Sequence, residues 1–258
     1  MLNQKRNSVG ILKTVTFVRI TETSTNASIQ IDTSTQTRER IDLITSFITV
    51  GSGAIVKHEK NVSFILTAAH VCNIVYPKQI SNVFPFYDPE TYEIMFSRIN
   101  MFHDIEGKSH IALPLVWNSK YDVCMMVTER IEQSSIRLAR RTPTHGQKIY
   151  YMGFPRGIGG DQFIPIFDGY YIGTKTINDW TKRAPVAGYS VPIAPGSSGS
   201  SVLDGRGNII GMLHSYYVRF DNLGLSATHE QLKELFDKAD KFWAKKKDEF
   251  VKELNPSL

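Results

Sequence analysis

Short runs of β-branched and aromatic residues, separated by Gly, Pro, Asn and Asp, dominate the sequence from residue 8 to about residue 228. About a dozen such runs can be distinguished, and none has helical periodicity. The clearest runs are 11–20, 46–56, 61–69, 91–99, 110–116, 122–127, 148–154, 162–173 and 208–218. This pattern predicts an all-β fold, either a sandwich or a barrel, and disfavours an α/β fold.

A helix is predicted only at the C-terminal end. Thr228 and Gln231 have the spacing of a capping box, and the helix is expected to reach about residue 254. Apolar residues recur at helical spacing at Leu232, Leu235, Phe236, Ala239, Phe242, Trp243, Phe250 and Leu254. The polar, Thr- and Ser-rich residues 21–40 are expected to form a turn and one exposed strand or a mobile arm.

Composition and charge limit the classes of partner. The chain has 258 residues, of which 41% are hydrophobic, yet its most apolar stretch at 63–75 is interrupted by polar residues, so no membrane span is expected. The 30 basic residues barely exceed the 25 acidic ones, and the basic clusters at 137–141 and 245–247 are typical of solvated faces. We therefore expect neither a nucleic acid nor a membrane as partner.

Cysteine and histidine usage predicts a reducing environment without cofactors. The first twenty residues lack a secretion signal, so we expect a cytoplasmic protein in which Cys72 and Cys124 are reduced thiols. The seven histidines show no His-Glu-x-x-His spacing, and two isolated cysteines make no zinc motif. We expect no metal and no other cofactor.

Three segments carry the residue types that nucleophilic acyl transfer requires. His70 ends an apolar run, Asp122 begins another, and Ser198 lies in a Gly-x-Ser-Gly turn. A hydroxyl attacks only when a base removes its proton, an imidazole can be that base, and a carboxylate can orient the imidazole. Asp104 also lies between the His and the Ser, but its polar surroundings indicate a hairpin tip. We therefore prefer Asp122 as the third member of the triad.

Several motifs together resemble the chymotrypsin-fold serine proteases, especially the catalytic domain of the HtrA/Deg type. The matching segments are GSGAIV (51–56), LTAAHV (66–71), DVCMMV (122–127), GQKIYYMGFPRG (146–157), PGSSGS (195–200), GRGNIIGM (205–212) and LGLSATHEQLKELF (223–236). The resemblance covers roughly residues 48–236. It implies two six-stranded Greek-key β-barrels with a C-terminal α-helix, and a serine endopeptidase with a polypeptide substrate. No PDZ domain of the kind found in this family is expected after the helix.

The resemblance also implies domain boundaries and an oxyanion hole. We expect a strand and polar arm at 1–47, a first barrel with the His and Asp at 48–135, a second barrel with the Ser at 136–228, and the helix at 229–258. The backbone N–H groups of Gly196 and Ser198 are expected to bind the oxyanion, in a turn that needs a residue without Cβ at position 196.

Substrate preference is predicted from the residues that would line the primary pocket. Its walls are expected at 190–194, 213–217 and 223–227, with Pro192, Ile193, Leu213, His214 and Ser215 as the candidate lining residues. Pro192 stands where trypsin-like enzymes carry a carboxylate, which disfavours basic side chains and favours small or medium apolar ones. Viral 3C-like relatives use a histidine in this strand to recognise Gln. Those relatives have the pattern Gly-x-His, whereas the spacing Gly211-Met-Leu-His is one residue longer here. Because side chains alternate along a strand, His214 is expected to point away from the pocket and to pack near Asp122.

Other readings of the same residues remain open. An α/β-hydrolase esterase requires Gly-x-Ser-x-Gly followed by a helix, whereas residues 201–213 read as a β-hairpin with an Asp-Gly turn. A catalytically silent binding scaffold and a viral-type protease with Gln-like specificity are both alternatives to the endopeptidase. We also expect an extra loop at 83–93 to overhang the cleft. The second half of the terminal helix, 245–254, either projects and binds a partner or a second copy, or packs along the second barrel.

Overall fold

The structure, a computed structural model, describes residues 5–22, 42–73, 92–159, 163–179, 182–217 and 222–254. Strands and two α-helices account for most of these residues. The strands are β1 (Val9–Glu22), β2 (Asp42–Glu59), β3 (Val62–Thr67), β4 (Tyr92–His103), β5 (Ser109–Asn118), β6 (Val123–Glu129), β7 (Lys148–Met152), β8 (Ile166–Asp179), β9 (Lys182–Tyr189), β10 (Ser201–Leu203), β11 (Ile209–Tyr216) and β12 (Gly224–Ala227). The helices are α1 (Ala69–Cys72) and α2 (His229–Leu254), and short 3₁₀ turns occur at Arg6–Ser8 and Pro155–Gly157.

The strands close into two six-stranded barrels with the same topology. The order is β1-β2-β3-β6-β5-β4 in the first barrel and, read from β7, β7-β8-β9-β12-β11-β10 in the second. The third strand of each barrel therefore pairs with the sixth, which is a Greek-key connection. The predicted all-β fold with a double six-stranded barrel and a terminal helix is confirmed.

The chain divides into two compact units that do not coincide with the barrels. One unit comprises Met1–Thr14, Val50–Ile74 and Asn100–Leu258, and it contains every candidate site residue. The other comprises Val15–Thr49 and Val75–Ile99. The predicted domain boundaries stay predictions. The strand and polar arm were expected at 1–47, and β1 in this range is a strand of the first barrel. Residues 23–41, which hold most of the expected arm, and all but the last two residues of the expected loop at 83–93 lie outside the described residues.

The capping box of α2 is confirmed, and every residue of its predicted apolar stripe except the exposed Phe242 packs in the first core. The backbone N–H of Thr228 donates to Gln231 Oε1 at 2.9 Å, and the Gln231 N–H donates to Thr228 Oγ1 at 3.3 Å. Trp243 packs edge-on against Phe64 of β3, with ring centroids 5.2 Å apart. Strand β3 is buried at all six positions, because β2 and β6 flank it and α2 packs over it. The helix therefore completes the first hydrophobic core.

Helix α2 packs on a different barrel from the one expected. It contacts β5 and β6 of the first barrel far more extensively than β11 of the second, so the expectation of packing along the second barrel is wrong. Phe250, Val251 and Leu254 lie partly buried against the first core. The second half of the helix is thus docked and does not project. Binding of a partner or a second copy through this helix stays a prediction.

Cys72 and Cys124 form a disulfide, and the expectation that both are reduced thiols is therefore wrong. Their Cα atoms are 6.5 Å apart, and both side chains are buried. The sequence separation of 52 residues concealed the pairing, because only the packing of α1 against β6 brings the two thiols together. The bond also removes the cysteine argument for a reducing compartment.

The disulfide predicts a measurable contribution to stability. Replacing both residues, Cys72→Ala with Cys124→Ala, should lower the free energy of unfolding by about 2–4 kcal/mol, because the bond restricts the unfolded chain. Urea unfolding of the wild type and the double variant measures the difference. In excess dithiothreitol, the free energy of unfolding of the wild type should fall to that of the double variant. Two titratable thiols in the denatured, non-reduced wild type would contradict the assignment.

Candidate active site

His70 lies in the one-turn helix α1, directly after β3. Strand β3 ends at Thr67, and Ala68 is extended before the helix begins at Ala69. The neighbouring side chains of Val71 and Cys72 are buried in the first core, whereas the His70 side chain keeps 30% of its surface exposed. The buried neighbours thus anchor the turn, and the imidazole remains accessible.

Asp122 holds His70 at two points. One carboxylate oxygen accepts the backbone N–H of His70 at 2.9 Å, and the other lies 2.7 Å from the ring atom Nδ1. Asp122 immediately precedes β6 and has a φ of +55°, a left-handed conformation that aspartate tolerates better than most residues. The two contacts fix both the position of the backbone of α1 and the orientation of the imidazole ring.

The surroundings of Asp122 keep its carboxylate ionised. Burial alone would raise the pKa of Asp122, but the hydrogen bonds and charge of His70, together with the charge of His214, bring this pKa below its ordinary value. An ionised carboxylate only accepts hydrogen bonds, so the Nδ1 atom of His70 carries a proton. In the neutral ring, Nε2 is then free to accept one.

Asp104 is excluded from this role by its own contacts. It lies at the tip of the β4–β5 hairpin, as expected, and its Oδ1 accepts the backbone N–H groups of Glu106 at 2.9 Å and Lys108 at 3.0 Å. Its Oδ2 lies 3.0 Å from Nε2 of the buried His110. The carboxylate therefore stabilises its hairpin and pairs with a different histidine.

Ser198 lies in a glycine-flanked turn between β9 and β10. Gly196 and Gly199 have φ values of +94° and +91°, which residues with a Cβ rarely adopt. The backbone N–H of Gly199 donates to the carbonyl of Leu213 at 2.7 Å, which ties the turn to β11. The Ser198 hydroxyl donates to the carbonyl oxygen of His214 at 3.4 Å.

Gly51 in β2 contacts the surroundings of both His70 and Ser198. A Cβ built on Gly51 would lie 2.7 and 2.8 Å from the methyl carbons of Val71 and 2.9 Å from the carbonyl oxygen of Ser198. The turn that contains Ser198 and helix α1 therefore approach the same glycine. Within the described part of the chain, no hydrogen bond joins the Ser198 hydroxyl to His70. The structure thus brings His70 and Asp122 into direct contact, and the turn that contains Ser198 approaches the same glycine as helix α1.

His214 is the extra residue of a β-bulge in β11. Leu213 pairs with Ser226 and Ser215 pairs with Leu225, so the β11–β12 register shifts at His214. Its Nδ1 lies 2.9 Å from the hydroxyl of Ser215. The electrostatic effect of its ring on the pKa of Asp122 agrees with the expectation that His214 packs near that carboxylate.

Two residues that hold the turn from Pro195 to Gly199, here called the nucleophile turn after its candidate nucleophile Ser198, were not predicted from the sequence. The Ser52 hydroxyl donates to the carbonyl of Gly196 at 2.8 Å, and the Ser52 N–H donates to the carbonyl of Ser198 at 2.7 Å. The Arg156 N–H donates to the carbonyl of Pro195 at 2.5 Å. For Ser52 the signal was its place between two glycines in GSGAIV. Arg156 has a φ of +54°, which the sequence does not indicate.

The candidate pocket residues differ in their exposure. Pro192 is exposed, and its carbonyl accepts the Tyr151 hydroxyl at 2.6 Å. Leu213 is fully buried and Ile193 half-buried in the second core. The candidate lining residues carry no carboxylate. Where residues are described, the chain has neither a cluster of three or more potential metal ligands nor a helix long and apolar enough to span a membrane.

Comparison with known proteins agrees with this geometry. The trypsin-like peptidase domain matches residues 51–212. The HtrA-type protease AlgW with a decapeptide has a TM-score of 0.61 at 15% identity, over 93% of this chain and 66% of that chain. The inactive form of a serine-to-alanine mutant of Rv3671c from M. tuberculosis H37Rv has a TM-score of 0.59 at 12% identity. The match covers 93% of this chain and 90% of that chain.

A third solved structure, the serine endoprotease from Yersinia pestis, gives a TM-score of 0.56 at 15% identity, over 92% of this chain and 64% of that chain. No curated protein matches the chain. The three structures share the fold, whereas the matched domain covers well over half of this sequence. The chain belongs to the trypsin-like peptidase family.

Proposed function

We propose that this protein is a serine endopeptidase in which Ser198 is the nucleophile, His70 the general base and Asp122 the orienting carboxylate. The observation that carries the proposal is the two-point contact of Asp122 with His70, at 2.7 and 2.9 Å. A carboxylate that merely stabilised a loop would not need to bind both the backbone and the Nδ1 atom of one histidine. This contact leaves Nε2 as the proton acceptor of the neutral ring.

Proton transfer requires the Ser198 hydroxyl to turn toward His70. In the free protein the hydroxyl makes a 3.4 Å hydrogen bond to the His214 carbonyl, a long contact that costs little to break. Rotation about the Cα–Cβ bond of Ser198 directs the hydroxyl to Nε2. The serine oxygen then attacks the scissile carbonyl while His70 takes its proton, and His70 returns that proton to the leaving amine. Water hydrolyses the acyl-enzyme by the same route.

The hydrogen bonds of the nucleophile turn support an oxyanion hole at Gly196 and Ser198. The Pro195 carbonyl faces the Arg156 N–H, and in a trans peptide the Gly196 N–H points the opposite way. No backbone carbonyl of the described chain accepts the N–H of Gly196 or of Ser198. Both donors therefore remain available for the negative charge that develops on the substrate oxygen.

Position 196 requires glycine because of its close neighbours as well as its positive φ. A Cβ there would lie 2.6 Å from the carbonyl oxygen of Phe154 and 3.0 Å from the backbone nitrogen of Arg156. A larger residue would push the turn away from the segment that holds it, in addition to the strain of its φ of +94°.

We propose that the substrate is a polypeptide cleaved after small or medium apolar residues. The candidate lining residues Pro192 and Ile193 offer apolar surface, and none of the candidate lining residues has a carboxylate for Lys or Arg. The solved AlgW structures with a tripeptide and a decapeptide are evidence that this fold can hold peptides. Gln-like specificity is disfavoured because the ring of His214 is near Asp122 and its Nδ1 contacts Ser215.

One observation favours the second candidate, a catalytically silent scaffold. The Ser198 hydroxyl contacts the His214 carbonyl and has no hydrogen bond to His70 within the described residues. We prefer the endopeptidase because catalytic hydrogen bonds often form only when substrate binds. The kinetic test below separates the two functions.

Removing the nucleophile should abolish catalysis without unfolding the protein. We expect Ser198→Ala to reduce turnover of a peptide substrate by about 10⁶-fold, as loss of a triad nucleophile does in other serine proteases. Ser198 is partly exposed in a turn, so the urea midpoint should stay near that of the wild type. Ser109→Ala, which removes an exposed hydroxyl of β5 outside the candidate site, is the matched control and should keep nearly all of the activity. Equal turnover by Ser198→Ala and wild type would contradict the proposal.

Specificity can be determined from a peptide library digested by the wild type and by Ser198→Ala. Cleavage products that appear only with the wild type should end in Ala, Val or Leu, because the candidate pocket has an apolar lining and no carboxylate. Mass spectrometry of the new termini identifies these residues. Products that end chiefly in Lys or Arg would contradict the apolar pocket, and products that end in Gln would favour the viral-type alternative.

A further inference from the structure

We propose that Ser52 is a positioning residue whose side-chain hydroxyl sets the orientation of the oxyanion hole, an inference that rests on the proposed function. Ser52 belongs to β2 of the first barrel and is only 1% exposed. It lies 144 residues from Gly196 in the sequence, yet its hydroxyl contacts the nucleophile turn directly.

The direction of the hydrogen bonds at this hydroxyl is unambiguous. The backbone N–H of Phe154 can only donate, and it lies 2.9 Å from the Ser52 oxygen. The carbonyl of Gly196 can only accept, and it lies 2.8 Å from the same oxygen. The single hydroxyl proton therefore points to Gly196 while a lone pair accepts from Phe154. One buried side chain thus joins two loops of the second barrel to a strand of the first.

Ser52 is itself held firmly by its backbone. Its N–H donates to the Ser198 carbonyl at 2.7 Å, and its carbonyl accepts the hydroxyl of the fully buried Thr67 at 2.8 Å. A Cβ on Gly199 would overlap the Ser52 carbonyl oxygen and lie 2.5 Å from Thr67 Oγ1. Gly199 therefore allows the nucleophile turn to approach this strand closely enough for the bonds to form.

The hydroxyl acts on the oxyanion donor through both peptide planes of Gly196. The Gly196 carbonyl, held by Ser52, fixes the plane that follows Gly196. The Pro195 carbonyl, held by the Arg156 N–H, fixes the plane that precedes it. Ser52 also anchors Phe154, two residues before Arg156. Because glycine imposes no φ of its own, these external bonds must select the conformation that aims its N–H at the substrate.

Truncation of the side chain should affect the rate of the chemical step more than the binding of substrate. Ser52→Ala leaves the Phe154 N–H and the Gly196 carbonyl buried without their partner. The Gly196 peptide then gains freedom, and its N–H spends less time in the productive orientation. We expect kcat to fall about 10- to 100-fold, less than the 10²–10³ that follows complete loss of an oxyanion donor. KM should change by less than about threefold, because ground-state contacts to the substrate remain.

Ser63 provides a matched control for the loss of a buried serine hydroxyl. Like Ser52 it is buried in the first barrel, and its hydroxyl oxygen accepts a backbone N–H, that of Ile131, at 2.9 Å. Its other contact is His58 Nδ1 at 3.0 Å, and neither partner belongs to the candidate active site. Ser63→Ala should therefore share any loss of stability but leave kcat near the wild-type value.

The experiment compares wild type, Ser52→Ala, Ser52→Cys and Ser63→Ala in peptide hydrolysis, urea unfolding and binding of a peptidyl boronic acid. This inhibitor forms a tetrahedral adduct with the active-site serine, and its affinity should decrease in parallel with kcat. We expect kcat to decrease from wild type to Ser52→Cys to Ser52→Ala, because a thiol is a weaker hydrogen-bonding group. If Ser52→Ala does not fold, the comparison of kcat and boronate affinity between wild type and Ser52→Cys still tests the role of the hydroxyl.

Two negative outcomes are distinguishable. An active wild type whose Ser52 variants keep kcat and boronate affinity within twofold, or lose no more than Ser63→Ala, would overturn the role of Ser52 alone. A folded wild type that neither hydrolyses peptides nor binds the boronate would overturn the proposed function and this inference together.

Discussion

Hydrogen bonding of the backbone carbonyls in the turn from Pro195 to Ser198 is the constraint on which the candidate active site depends. A buried carbonyl without a donor costs about 1–3 kcal/mol, which applies to the buried Gly196, and donors also hold the carbonyls of the exposed Pro195 and the half-buried Ser198. Those donors come from distant segments: Arg156 for Pro195 and Ser52 for both Gly196 and Ser198. Because Arg156 holds the Pro195 carbonyl, the Gly196 N–H of the same trans peptide points the opposite way. The bonds that stabilise the turn thus also orient the N–H group that we propose as an oxyanion donor.

The first barrel supports the base in a comparable way. Strand β6 begins directly after Asp122, and the disulfide joins α1 to β6 two residues beyond both His70 and Asp122. The side chains of Val71 and Cys72 are buried in the first core and anchor helix α1 there. Helix α2 covers the neighbouring strands and completes the core on which they rest. The side chains of His70 and Asp122 are therefore partly exposed, next to buried elements that the disulfide joins.

Local sequence patterns predicted the all-β class and the terminal helix, and the family resemblance implied the double barrel, whereas neither indicated the supporting contacts. Runs of β-branched and aromatic residues separated by turn residues predicted the strands, and Thr228 with Gln231 predicted the start of α2. Cys72 and Cys124 are 52 residues apart, and their pairing depends on how α1 packs against β6. The bonds of Ser52 depend on the approach of two barrels, which no local pattern encodes. The position of α2 on the first barrel was missed because its apolar stripe fits either barrel equally well.

Intact-mass analysis after treatment with a fluorophosphonate is the sharpest test of whether Ser198 is an activated nucleophile. Such reagents phosphonylate a serine only where a base removes its proton. We expect one adduct per wild-type molecule, located on Ser198 by peptide mapping, much slower labelling of Asp122→Asn, and none in Ser198→Ala. A folded wild type that stays unmodified, or an adduct that persists in Ser198→Ala, would contradict the account.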